Sequence, residues 1–110
     1  MRSVFYVLYG PDEHIPSASP IQMEDADIYS EVFGRMTNDG DFFGIIDDKG
    51  TTFQVMYEAA HDRYWAEIPI PGKRLSHGAH FTFDEMVELM TSLPNTFTPQ
   101  AFPRFRPTQL

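Results

Sequence analysis

At 110 residues, with 42% hydrophobic and 15% aromatic side chains, the chain holds enough apolar material for one packed domain and too much for disorder. It has no cysteine, which excludes disulfides, thiolate nucleophiles, zinc ribbons and iron–sulfur sites and best fits a cytoplasmic protein. A formal net charge of −8 disfavours direct binding to nucleic acid or an anionic membrane, because phosphate-rich surfaces select basic proteins.

The first segment, "SVFYVLYG" (3–10), is aromatic and β-branched and ends at Gly10-Pro11, so it reads as a strand. It has neither the length nor the small-residue cleavage site of a signal peptide, and no apolar run in the chain reaches the ~18–20 residues of a membrane span. "PDEHIPSASP" (11–20) carries three prolines and reads as a loop. Asp25 is placed to cap a helix over about 26–36, in which Ile28, Tyr29, Val32, Phe33 and Met36 form one apolar face. "TNDGD" (37–41) stops it.

Three strands follow. "DFFGIID" (41–47) and "TTFQVMYE" (51–58) are joined by a short turn in which Gly50 supplies positive φ. "AAHD" (59–62) leads to "RYWAEIPI" (63–70), where Tyr64, Ala66, Ile68 and Ile70 share one face and Trp65 and Glu67 the other. "RLSHGAH" reads as a glycine-containing loop before a second helix. That helix has the clearest local signature in the chain. Thr82 and Glu85 form a capping box, Phe81 and Met86 a hydrophobic staple, and Phe83, Met86, Val87, Met90 and Leu93 an apolar stripe that Pro94 ends. The Pro-rich tail (94–110) is expected to run extended across the domain, anchored by Phe97, Phe102 and Phe105. The order β-α-β-β-β-α predicts a single α+β domain over 1–110, a mostly antiparallel sheet with two helices on one face.

Charge is distributed unevenly. Residues 1–60 carry eleven acids against three bases, whereas residues 61–110 carry five of each. Glu24, Asp27, Asp39, Asp41, Asp47 and Asp48 fall at the start of the first helix, in the turn after it and at the hairpin tip. They are candidates for a surface that binds a basic protein partner, such as a nucleic-acid-handling protein. The competing reading is a face that only keeps the protein in solution. Trp65, with Met56 and Phe42, forms either an interface anchor on the second sheet face or core packing beneath the tail.

Motifs for catalysis are missing. The chain has no G-x-S-x-G elbow, no phosphate-cradling glycine motif and no calcium-loop spacing, and Asp47-Asp48 at a hairpin tip are kept ionised by water. No enzyme and no cofactor are therefore expected. His77 and His80, with Asp84, Glu85 or His61 nearby, are the remaining metal-ligand candidates, but they lack the i, i+4 helical spacing of reliable zinc pairs.

"ADIYSEVFGRM", "FFGIIDDKGTTFQVMYE", "RYWAEIPI" and "FTFDEMVELMTSLP" together resemble, over about residues 24–94, the layout of small immunity proteins of bacterial polymorphic-toxin systems. The resemblance implies a compact acidic α+β protein that binds and blocks a toxin, often a nuclease or deaminase. Three other readings stay open: a phage-type acidic inhibitor such as an anti-CRISPR, a small metal- or ligand-binding domain using His77 and His80, and a homodimer through the Trp65 face.

Overall fold

Alternation of apolar and polar residues sets the architecture. The computed structural model describes residues 1–109. Strands β1 (Arg2–Leu8), β2 (Glu13–Ile15), β3 (Ile21–Met23), β4 (Phe42–Ile46), β5 (Thr52–Glu58), β6 (Arg63–Pro69), β7 (Leu75–Phe81) and β8 (Arg106–Gln109) form one antiparallel sheet. Its order is β2-β1-β4-β5-β6-β7-β8, and β3 pairs with the first half of β1 while β2 pairs with the second. The α+β class and the antiparallel sheet agree with the sequence reading, but the order of elements is richer. The "loop" at 11–20 contains β2, the stretch before the second helix is β7, and the tail adds β8 to the far edge.

One sheet face carries the core. Val4, Tyr6 and Leu8 of β1, Phe43 and Ile45 of β4, Phe53 and Val55 of β5, and Tyr64, Ala66 and Ile68 of β6 are all buried there. Over one half lies helical segment 25–35, which begins as α1 (Asp25–Asp27), widens into a π turn (Ile28–Val32) and tightens into a 3-10 turn (Phe33–Arg35). Ile28, Val32, Phe33 and Met36 are buried as predicted, whereas Tyr29 is exposed. Asp25 does not cap this helix. It lies in the first turn, and its carboxylate accepts the Arg2 Nε–H at 2.8 Å.

Helix α2 (Phe83–Thr91) starts on the predicted capping box. Thr82 N–H donates to Glu85 Oε1 at 2.8 Å, and Glu85 N–H donates to Thr82 Oγ1 at 3.2 Å. Phe81 and Met86 are both buried, and Phe83 stacks on Phe33 at 5.4 Å, so the two helical segments meet above Tyr64. The tail covers the other half of the same face. Phe97 and Phe102 stack on Phe53 at 5.4 and 5.2 Å, and Phe105 packs beyond them at 6.5 Å. The anchors are those predicted, and they lie on the face opposite Trp65. The tail's last residue, Leu110, lies outside the described residues.

Both sheet edges are blunted. β8 has four residues, one of them Pro107, and the opposite edge is split between two three-residue strands separated by Pro16 and Pro20. Such edges resist pairing with a further strand. Among the described residues no helix is long and apolar enough to cross a membrane.

Candidate functional site

Because both helices and the tail share one face, no helix among the described residues covers the other face of the sheet, which the loop at Ser17 borders beside Phe5. Strand parity places two rows of side chains on it. The first row crosses six strands as His14, Val7, Phe42, Met56, Trp65 and His80, each paired with the next. The second runs Phe5, Gly44, Gln54, Glu67, Gly78 and Arg106. Trp65 thus sits beside Met56 on the open face, with its ring 4.9 Å from that of His80. Met56 is 39% exposed.

The two glycines shape this face. A Cβ on Gly44 would meet the Phe5 ring at 2.0 Å, and one on Gly78 would meet the Trp65 indole at 2.5 Å. Each aromatic therefore lies flat across the backbone of the neighbouring strand, a close approach that only glycine permits. That is why Phe5 is only 7% exposed on a face no helix covers. Between these covered glycines stands the pair Gln54 and Glu67. Gln54 Nε2 donates to Glu67 Oε2 at 2.8 Å, while Glu67 Oε1 is shut off from solvent and receives no donor from the protein. Ser76 Oγ, on the same face, is the other such buried side-chain oxygen among the described residues. A buried acceptor left unpaired costs about 1–3 kcal/mol.

Phe42, Gln54, Met56 and Glu67 line a shallow depression of about 260 Å³. Gln54 is shared with a second hollow that reaches Phe5, Ile46, Lys49 and Pro69. Ile46 in turn borders a cleft of about 610 Å³ lined by Glu24, Asp25, Asp47 and Asp48 together with Met1, Arg2 and Thr96. Neighbouring depressions thus share a lining residue, Gln54 for the first two and Ile46 for the second hollow and the cleft at the acidic end of the sheet.

The acids proposed from the sequence separate into two groups. Glu24, Asp27 and Asp48 are exposed, and Glu24 and Asp48, from different segments, both line the cleft. Asp41 is fully buried, and its carboxylate accepts N–H bonds from Tyr9 (2.9 Å), Thr37 (3.0 Å) and Asn38 (2.9 Å), so it cannot contact a partner. Asp39 Oδ1 accepts the Ala59 N–H at 3.0 Å and tethers the 3-10 turn Ala59–His61 that joins β5 to β6.

Asp47 also has structural work. Its carboxylate accepts Lys49 and Thr51 N–H at 2.9 and 2.8 Å within the hairpin, and Phe97 N–H at 2.9 Å from the tail. Burial raises the Asp47 pKa, but these backbone donors outweigh it and hold the carboxyl below its ordinary value. Asp25 is lowered by its bond to Arg2, and Glu85 by the Thr82 N–H and Arg104. Carboxyls depressed in the folded state stabilise it above their unfolded pKa, and that stability is lost as pH falls through the folded values. The thermal midpoint, followed by circular dichroism, should therefore hold from pH 7 to about 5 and fall below about pH 4. An Asp47→Asn variant should start lower and fall less. A wild-type midpoint unchanged at pH 3 would contradict the assignment.

His77 and His80 do not form a metal pair. Three residues apart on β7 rather than in a loop, they project to opposite faces. His77 is opposite Ile68 on the covered face, and His80 Nε2 lies 3.2 Å from Glu58 Oε1 on the open one. No group of three or more metal-binding side chains occurs among the described residues.

Glu67, Gln54 and Phe5 were not singled out by the sequence reading. The signal that marks them is a glycine inside each neighbouring strand, Gly44 and Gly78, facing the same side as Trp65's row. Comparison of the chain with protein-family models, with curated proteins and with solved structures finds no match.

Proposed function

We propose that this is a non-enzymatic binding protein that occludes a basic protein partner, an inhibitor of the kind the immunity-protein resemblance implies. The observation that carries the reading is the open sheet face, whose Phe42–Met56–Trp65 row is linked to the cleft holding Glu24 and Asp48 through Gln54 and Ile46, residues that neighbouring depressions share. An apolar centre joined to an acidic margin suits a partner with a basic active-site groove: the margin steers the encounter and the centre excludes water. A stable complex would bury roughly 800 Å² on each side. Blunted edges and a charge of −8 favour a different chain over a second copy.

The buried position of Asp41 and the bonds of Asp47 decide which acids to test. The double variant Glu24→Lys/Asp48→Lys is expected to keep the wild-type circular dichroism spectrum and midpoint. Its association with the partner captured from the source organism should slow about tenfold or more, with a flatter dependence on salt. Association at the wild-type rate and salt dependence would remove the acidic cleft from the binding surface.

A further inference from the structure

We propose that the depression between Phe42, Gln54, Met56 and Glu67 receives an arginine side chain of the protein partner. The inference deepens the binding reading by naming the group that the open face recognises. At about 260 Å³ the depression is smaller than the pockets of about 300–1,000 Å³ that hold cofactors and metabolites, and it is of side-chain size. Its polar part consists of acceptors. Glu67 Oε2 is held by Gln54 Nε2, while Glu67 Oε1 receives no donor from the protein and, being closed to solvent in the free protein, is reached only when a neighbouring side chain moves. The amide oxygen of Gln54 accepts no bond among the described residues. Gln54 and Glu67 are cross-strand partners, so amide and carboxylate oxygens from both strands are available to the planar donor fork of a guanidinium.

The walls suit the rest of that side chain. Phe42 and Met56 offer apolar surface to a three-carbon stem, and the flexible, 39% exposed Met56 can move to admit it. An arginine is also less strongly hydrated than a lysine, so it gives up less water on entering a half-apolar hollow. Self-association is disfavoured by the net charge of −8, although Arg74 and Arg106 of a second copy are exposed and stand outside ion pairs with carboxylates among the described residues.

The test needs no partner, so its failure can be told apart from failure of the binding reading. N-acetyl-arginine amide is titrated into the isotopically labelled full chain, with N-acetyl-lysine amide and N-acetyl-norleucine amide as comparisons. Saturable shifts are expected at the Met56 methyl, the Gln54 side-chain amide and the Trp65 indole, strongest for the arginine probe. Glu67→Gln should weaken binding about tenfold while its thermal midpoint stays level or rises, because the substitution removes a partly buried charge one of whose oxygens receives no donor. Glu88→Gln on the opposite face should bind as wild type. If Glu67→Gln fails to fold, Glu67→Ala, which removes the carboxylate altogether, gives the same readout. Absence of saturable shifts, equal shifts with the lysine or norleucine probe, or unaltered binding by the folded variant would overturn the proposal.

Discussion

Replacing Asp41 by alanine is expected to destabilise the protein by about 3–4 kcal/mol and to lower its thermal midpoint by roughly 15 °C. The carboxylate is fully buried and accepts three backbone N–H groups, from Tyr9 at the end of β1 and from Thr37 and Asn38 in the turn after the first helical segment. Its own backbone extends the junction, since Asp41 N–H donates to Asn38 O at 3.0 Å and Asp41 O accepts Tyr57 N–H at 2.8 Å. Alanine would leave three donors without an acceptor in a space closed to water, and each loss carries its own desolvation penalty. Asparagine restores one oxygen but sets an amide N–H against backbone N–H groups, so Asp41→Asn should lie between alanine and wild type. Urea unfolding at unchanged m-value is the check. A loss below about 1 kcal/mol for Asp41→Ala would show that the turn finds other acceptors.

This residue also marks where sequence reasoning stopped short. A run of acids can be counted in a sequence, but nothing in the count distinguishes a carboxylate on the surface from one folded inward to hold a turn. Asp41, Asp47 and Asp39 each accept N–H bonds from segments distant in sequence, Tyr9, Phe97 and Ala59 respectively. Local signals were read correctly where the cause is local. The Thr82/Glu85 box, the Gly50 turn with φ +81°, the parity of Trp65 and the anchoring phenylalanines of the tail all depend on residues close in the chain or on simple alternation. Strand β7 escaped because its residues, including His77, Gly78 and His80, carry little β-propensity. Pairing with β6 and the Trp65 ring lying on Gly78 make it a strand. β2, β3 and β8 are three or four residues long and proline-flanked, so they form only because a longer strand is beside them. The sequence placed both helices on one face and Trp65, Met56 and Phe42 on the other, but it left open whether the tail covers that second face, because the tail's side is set by Phe97 and Phe102 stacking on Phe53 across the sheet.

Met56→Glu should abolish most partner binding while leaving the fold in place. Met56 lies at the centre of the open-face row, between Phe42 and Trp65, and its 39% exposure means that the free protein tolerates a polar substitute. In a complex the same position would be closed off, and a carboxylate there would need burial without a partner beside Glu67. Central anchors of this kind typically contribute 2 kcal/mol or more, which is about a 30-fold change in Kd. The loss should appear mainly in the dissociation rate, in contrast to the association effect expected for Glu24→Lys/Asp48→Lys.

The most direct measurement compares the Kd of one purified partner for wild type, Met56→Glu and Glu88→Lys, the last on α2 over the covered face. Weakening of about 30-fold or more for Met56→Glu, with Glu88→Lys within about twofold of wild type, is the result expected if the open sheet face is the binding surface. Wild-type affinity for Met56→Glu, or loss of binding by Glu88→Lys instead, would contradict it.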